Sequence, residues 1–299
     1  MNKIAQRFLI FFLGVPAVAA LVLLLPHYNH LALNVAIVVS SALGAMEFSA
    51  MLAQKNLKIP KAEAAVIGAL LPAATAALVT LEGISFSPDI FLFALTLGVV
   101  MPTILTLGVG WMLLSRVFSS GERLDGFAGR VVAGLAVLLY PGVFMMWIVG
   151  MTLLHNAGIV IIVFLLMVFG GDSLAWATGM LFGRNNRGVV PASPNKSVAG
   201  FIGGVLGPVI VMVGAVHFRP DVFAFTDIPI IAGIVTGLLT GCAAILGDLA
   251  ESALKRSSGI KDSGSFIIGR GGVLDSIDSV AMAAPVFFLC YIVFFTQFL

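Results

Sequence analysis

Asp248, Glu251, Ser252 and Lys255 stand three and four residues apart, so on a helix all four project from one face. Glu251 and Lys255 have the spacing of a surface ion pair at a helix end. Asp248 lies deeper, among Ile245, Leu246 and Leu249, with no evident cationic partner, and a carboxylate so placed suits a cation ligand. A second cluster follows, with Lys255-Arg256, Lys261-Asp262, Gly264 and Gly269-Arg270-Gly271-Gly272 leading to Asp275 and Asp278 at the opening of a helix. Its glycines let backbone amides approach an anion, and the helix N-terminus adds partial positive charge, so the segment suits phosphate. Asp275 and Asp278 would face one side and could share a divalent cation with Asp248. The third element is Ser193-Pro194-Asn195-Lys196-Ser197: Ser193 reads as an N-cap, Pro194 as a first helical residue, and Lys196 and Ser197 as anion ligands at that N-terminus. Each motif alone also has a purely structural reading, because aspartates in a first helical turn and Ser-Pro starts are favourable without any ligand.

The elements that must hold these residues are membrane helices. The chain has 299 residues, 60% hydrophobic and only 10% charged, which excludes an ordinary water-soluble domain. Apolar runs long enough to cross a bilayer read as about nine spans: Phe8 to Leu25, Leu31 to Ala53, Ala64 to Leu81, Ile90 to Leu114, Val131 to Leu153, Ile159 to Phe182, Val198 to His217, Ile228 to Ala250 and Ser279 to Leu299. The expected fold is therefore an all-α integral membrane protein. Its opening, Met-Asn-Lys-Ile-Ala-Gln-Arg before an apolar run, has the pattern of a secretory signal, but the run continues to Leu25 and an uncleaved first span is expected. With the N-terminus in the cytoplasm, every lysine and arginine of the 16 except Arg219 falls on the cytoplasmic side, which puts the C-terminus outside. The far-side loops are short and nearly featureless, so the chemistry is expected at the cytoplasmic ends of the last four helices.

Intramembrane carboxylates carry the same message. Asp172, behind Gly170 and Gly171 in the sixth span, is better explained by function than by packing. Glu47 in the second span is similarly placed but has no polar neighbours in sequence. Gly200 and Gly204, and Gly203 and Gly207, have the spacing that allows close helix packing. Cys242 and Cys290 lie in apolar runs and read as packing residues. The net charge of +2, dispersed along the chain, gives no nucleic-acid footprint.

On these residues the sequence resembles the CDP-diacylglycerol synthase, or phosphatidate cytidylyltransferase, family. Ser252, Lys255-Arg256, Lys261-Asp262, Gly264, Gly269, Gly271-Gly272, Asp275 and Asp278 reproduce the spacing of that family's C-terminal signature, and Gly247-Asp248 with Glu251-Ser252 also fits. Ser193 to Ser197 looks like its Ser-Pro-Lys-Lys-Thr element, and Asp172 to Gly183 like the preceding helix. The likeness covers roughly the C-terminal 130 residues; the N-terminal half matches only as hydrophobic helices. The chain departs from the pattern at Arg270, usually His, at Ser276, usually Arg, at Ile268, usually small or Pro, and at Ala199, usually Glu. A guanidinium is lost at position 276 and another appears six residues earlier, so the first two departures compensate in charge, whereas Ala199 does not.

What the resemblance implies is transfer of the cytidylyl group of CTP to phosphatidate at the cytoplasmic face of the cell's inner membrane. Residues 1–156 would form N-terminal membrane helices for lipid contact or oligomerisation, and residues 157–299 the catalytic part. Asp248, Lys255, Arg256, Lys261, Asp262 and Asp275 would be catalytic, with Mg²⁺ held by Asp248, Asp275 and Asp278. Asp172, Ser193, Lys196, Ser197, Arg270, Gly271 and Gly272 would bind the substrates. A second cation and a homodimer stay open. The rival expectation is a multi-span secondary transporter, suited to intramembrane Asp172, Asp248 and Glu47. Against it the sequence has no internal repeat, and the acids gather at one face. A CDP-alcohol phosphotransferase is a poorer match, because its Asp-Gly-x-x-Ala-Arg element is absent.

Overall fold

The computed structural model describes residues 14–82, 101–114, 126–267 and 271–296. Among them the chain is helical throughout, with only two isolated backbone bridges, Arg187 with Ser197 and Ile267 with Gly271. In order the helices are α1 (Val15–Leu24), α2 (His27–Ala53), α3 (Lys61–Glu82), α4 (Met101–Leu114), α5 (Phe127–Val137), α6 (Phe144–Met151), α7 (Ala157–Phe182), α8 (Val198–Phe218), α9 (Pro220–Phe223), α10 (Pro229–Ser257) and α11 (Leu274–Phe295). A π-helical segment, Leu138–Val143, joins α5 to α6 around Pro141, where the ring leaves no backbone donor for a regular turn.

Seven of these stretches are long and apolar enough to cross a membrane, α5 to α6 counting as one, and the shorter α4 is apolar too. This is a multi-pass membrane protein. The first expected span and the one from Ile90 lie partly outside the described residues, as does the signal-like opening. Several expected boundaries move by a few residues, and two of the shifts bear on the site. Helix α10 runs to Ser257 rather than stopping at Ala250, and α11 begins at Leu274 rather than Ser279, so the polar residues at both ends are helical. Hydropathy alone ends a span where apolar residues stop, but the backbone continues while its hydrogen bonds do.

The chain forms two compact units, one of residues 1–153 with 257–275, the other of 154–256 with 276–299. The loop between α10 and α11 thus folds with the N-terminal helices. In the first unit α2 and α3 pack closely. Ser41 Oγ donates to the Gly68 carbonyl at 2.8 Å, and a Cβ on Gly68 would come within 2.4 Å of the Ala45 methyl. Arg130 at the start of α5 forms an ion pair with Glu63 at the start of α3.

The second unit is built on backbone contact between glycine faces. A Cβ on Gly207 of α8 would lie 2.9 Å from the Gly171 Cα of α7, and one on Gly237 of α10 would lie 2.5 Å from the Val209 Cα of α8. In a bilayer apolar surface gains nothing from leaving lipid, so helices associate where small residues let backbones approach. The expected roles of Gly203 and Gly207 are of this kind. Phe164, Phe287, Tyr291, Phe223 and Phe295 fill the remaining interior, with ring centroids 5.2 to 6.3 Å apart. Outside the spans, exposed Arg219 donates to Asp221 and holds its carboxyl below the usual carboxylate range.

Candidate active site

In the second unit the expected polar face of α10 is present. Ser252 Oγ lies 3.4 Å from Asp248 Oδ1, one helical turn away. Glu251 and Lys255 form the expected ion pair, but not on the surface: Glu251 is fully buried and the Lys255 side chain is 13% exposed. Such a buried pair is costly to break.

Asp248 has a cationic partner that its neighbours in sequence do not disclose. The Lys196 ammonium, 52 residues upstream, forms an ion pair with Asp248 Oδ2, and the Asp248 side chain is 35% exposed rather than deep in the interior. Lys196 is held by the turn that leads into α8. Its amide donates to Ser193 O, Val198 N donates to Asn186 O, and Ser197 pairs with Arg187. The N-cap of α8 is Ser197, whose Oγ accepts from Gly200 N at 3.0 Å, and not Ser193, which lies four residues earlier in the preceding turn. Asn and Lys at positions 195 and 196 continue that turn, so Pro194 does not start the helix. Gly183, at the end of α7, gives Ser197 its place, since a Cβ there would meet Ser197 Oγ at 2.5 Å.

Asp278, on the first turns of α11, is buried and accepts a hydrogen bond from Ser279 N at 2.6 Å. The backbone of Gly247, the residue before Asp248, packs on the Asp278 carbonyl, where a Cβ would come within 2.6 Å. Asp248, Asp172 and Lys255 all lie within electrostatic range of Asp278. Asp172 is exposed on α7. The second unit therefore brings together Lys196, Ser197, Asp172, Asp248, Lys255 and Asp278 from three helices and one turn. Arg256 is exposed at the end of α10.

The first unit holds the loop that follows. Lys261 and Asp262 are exposed, and Ser263 is buried. Asp275 Oδ2 accepts from Ser263 N at 2.9 Å, Ser263 Oγ at 2.9 Å and Gly272 N at 2.7 Å. Glu47, which sequence left without neighbours, accepts from Val273 N at 3.0 Å, Leu274 N at 2.8 Å and Ser263 Oγ at 3.0 Å. Gly271 N donates to Ile267 O. Among the described residues, the amides of residues 271–275, part of the segment expected to offer them to a phosphate, are thus taken by the protein's own acceptors. A phosphate at this loop would meet side chains, not this N-terminus. Arg270 lies outside the described residues.

Among the described residues no group of three His, Cys, Asp or Glu side chains is placed to enclose a metal ion. The donor chemistry nevertheless fits a hard divalent cation. Mg²⁺ is commonly held by one or two carboxylates, with substrate phosphates and water completing the shell. Asp248 and Asp278 supply such oxygens, and the ammonium of Lys196 occupies the position of a cationic charge beside Asp248.

The sequence profile of the Cytidylyltransferase family matches residues 5–294, and the chain belongs to that family. The family suggests a divalent-cation requirement in general. Among relatives, a Haemophilus influenzae phosphatidate cytidylyltransferase is 39% identical over 142 residues, 47% of this chain and 47% of the relative. A Thermotoga maritima phosphatidate cytidylyltransferase is 42% identical over 127 residues, 41% of this chain and 44% of the relative. The uncharacterized protein YnbB of Escherichia coli is 37% identical over 135 residues, 44% of this chain and 43% of the relative. The chain matches less than half the length of each of these curated relatives.

Proposed function

We propose that this chain is a phosphatidate cytidylyltransferase that converts CTP and phosphatidate to CDP-diacylglycerol and pyrophosphate for phospholipid synthesis. The observation that carries the reading is the meeting of Lys196 and Asp248, with the backbone of Gly247 packed against Asp278 on α11. One place then holds an ammonium for a phosphate and carboxylates for a cation. The family match and the names of the relatives favour this transferase over the rival transporter.

In the reaction an oxygen of the phosphatidate phosphate forms a bond to the α-phosphorus of CTP. The bond from that phosphorus to the bridging oxygen of the β-phosphate breaks, and pyrophosphate leaves with the electron pair. Both substrates are polyanions, so the task of the protein is positioning and charge neutralisation, with no covalent intermediate. A bound Mg²⁺ would neutralise and orient phosphate oxygens, and we place it on Asp248 and Asp278. Lys196 and Ser197 are assigned to the lipid phosphate, with Ser193 shaping their turn. Lys255 and Arg256 are assigned to the triphosphate, and Lys261 and Arg270, in the other unit, to anion binding on the strength of the family resemblance alone. Asp172 lines the polar site. Asp275, through the oxygen that accepts three hydrogen bonds, orders the loop that bears Lys261 and Asp262.

The acyl chains stay in the bilayer and CTP arrives from water, so the phosphates meet at an interface, here the cytoplasmic face of the inner membrane. The test is pyrophosphate release by purified protein in mixed micelles, with phosphatidate and Mg²⁺ each omitted in turn. Release that needs both, and that is lost in Asp248→Asn with the protein still folded, is the expected result. Full activity in Asp248→Asn would remove the cation from that carboxylate.

A further inference from the structure

We propose that Glu47 is a positioning residue: from the last third of α2 it clamps Ser263 and the start of α11 in the arrangement that turnover needs. Its carboxylate accepts three hydrogen bonds, from Val273 N and Leu274 N at the head of α11 and from Ser263 Oγ in the loop. The same hydroxyl lies 2.9 Å from Asp275 Oδ2, and its single proton serves one carboxylate at a time, so two carboxylates 228 residues apart share one serine. The fit is close on both sides. A Cβ on Gly264 would lie 2.3 Å from Glu47 Oε1, and one on Gly272 would lie 2.3 Å from Glu47 Oε2 and 2.1 Å from Ser263 Oγ. Neither glycine can carry a side chain while Glu47 keeps its place.

The physical logic is that of a helix cap supplied from another helix. The first amides of a helix have no intrahelical acceptor, and their aligned dipoles favour a negative charge. Asp275 takes Gly272 N from inside the turn, while Glu47 takes the next two from α2. An ionisable group this far along an apolar helix is costly unless used, and here its use is to fasten a polar, glycine-rich loop that has little apolar surface of its own. The loop carries exposed Lys261 and Asp262. Glu47 touches none of the groups assigned to substrate, so it acts through the loop's geometry. Its part in turnover rests on the transferase reading above.

The experiment compares Glu47→Gln, Ser263→Ala, their double variant and Glu63→Gln, the last removing an ion pair elsewhere in the same unit. Two readouts are taken on full-length protein in micelles: the rate of tryptic cleavage after Lys261, and kcat with KM for both substrates. For Glu47→Gln we expect cleavage to accelerate severalfold and kcat to fall by about tenfold or more, since small misplacements of a charged loop are felt in the transition state. The KM for phosphatidate should be nearly unchanged. Ser263→Ala should act in the same direction, and the double variant should be little worse than Glu47→Gln, because both remove one network. Glu63→Gln should lower thermal stability while leaving the cleavage rate and kcat alone. Unchanged cleavage in both Glu47→Gln and Ser263→Ala overturns the clamp. Accelerated cleavage with unchanged kcat overturns its part in turnover. A wild-type protein that releases no pyrophosphate sinks the transferase reading, while the cleavage rates still decide the clamp.

Discussion

The Lys255 side chain is 13% exposed and that of Glu251 not at all, and the two charges pair in the interior of the second unit. Glu251→Gln removes that negative partner from the interior, which should cost on the order of 3–5 kcal/mol, read as a fall in the unfolding midpoint. Glu251→Gln with Lys255→Met should recover most of that loss, because a neutral, well-packed pair carries no desolvation penalty. The pair Lys196 and Asp248 makes a different prediction, since its members are partly exposed. With Lys196→Met the carboxylate loses its internal counter-ion, so Mg²⁺ should raise the melting temperature of the substrate-free protein at lower concentration than in the wild type, while turnover falls. Unaltered Mg²⁺ dependence of melting would show that the ammonium does not compete with the cation. The types and i+4 spacing of Glu251 and Lys255 were legible in the sequence, because neighbours on a helix are fixed by its period. The partner of Asp248 and the role of Glu47 were not. Both depend on groups 52 or more residues away, and the acceptors' partners at Glu47 are mostly backbone amides, which carry no sequence signal at all.

Helices α7, α8 and α10 owe their mutual fit to glycines, and their contacts separate glycines that pack from glycines that do not. Gly237→Ala would drive a methyl into the backbone of α8 at Val209, whereas Gly214→Ala meets nothing within 4 Å. The first should lower the unfolding midpoint markedly. The second should leave it unchanged or raise it slightly, by the roughly 0.5–1 kcal/mol that alanine gains over glycine within a helix. Equal effects at the two positions would contradict glycine-mediated packing. The existence of these helices was readable because a bilayer demands about 20 apolar residues per crossing. Their ends were less so: α10 and α11 extend past their apolar stretches through polar residues, and the N-cap of α8 is Ser197 instead of Ser193 because the Ser-Pro pair belongs to the turn before it. The same extension changes the meaning of the α11 N-terminus. Sequence offered its amides to a phosphate, yet Glu47 and Asp275 already satisfy them.

Across the whole molecule, the distribution of lysine and arginine proposes an orientation: every basic residue except Arg219 lies on one side of the expected spans. In a variant lacking Cys242 and Cys290, a membrane-impermeant maleimide should label Asp221→Cys on intact spheroplasts, and Asn195→Cys only after permeabilisation. The reverse pattern would place the site on the wrong side for CTP. The central claim, cytidylyl transfer to a lipid phosphate at Asp248, is tested most directly by the fate of the CTP α-phosphate. With CTP labelled at that phosphorus and phosphatidate in mixed micelles, the label should pass into the organic phase as CDP-diacylglycerol for the wild type, and stay in water for a folded Asp248→Asn protein. Label that never leaves the aqueous phase with the wild type, or that leaves it equally with Asp248→Asn, would contradict the account.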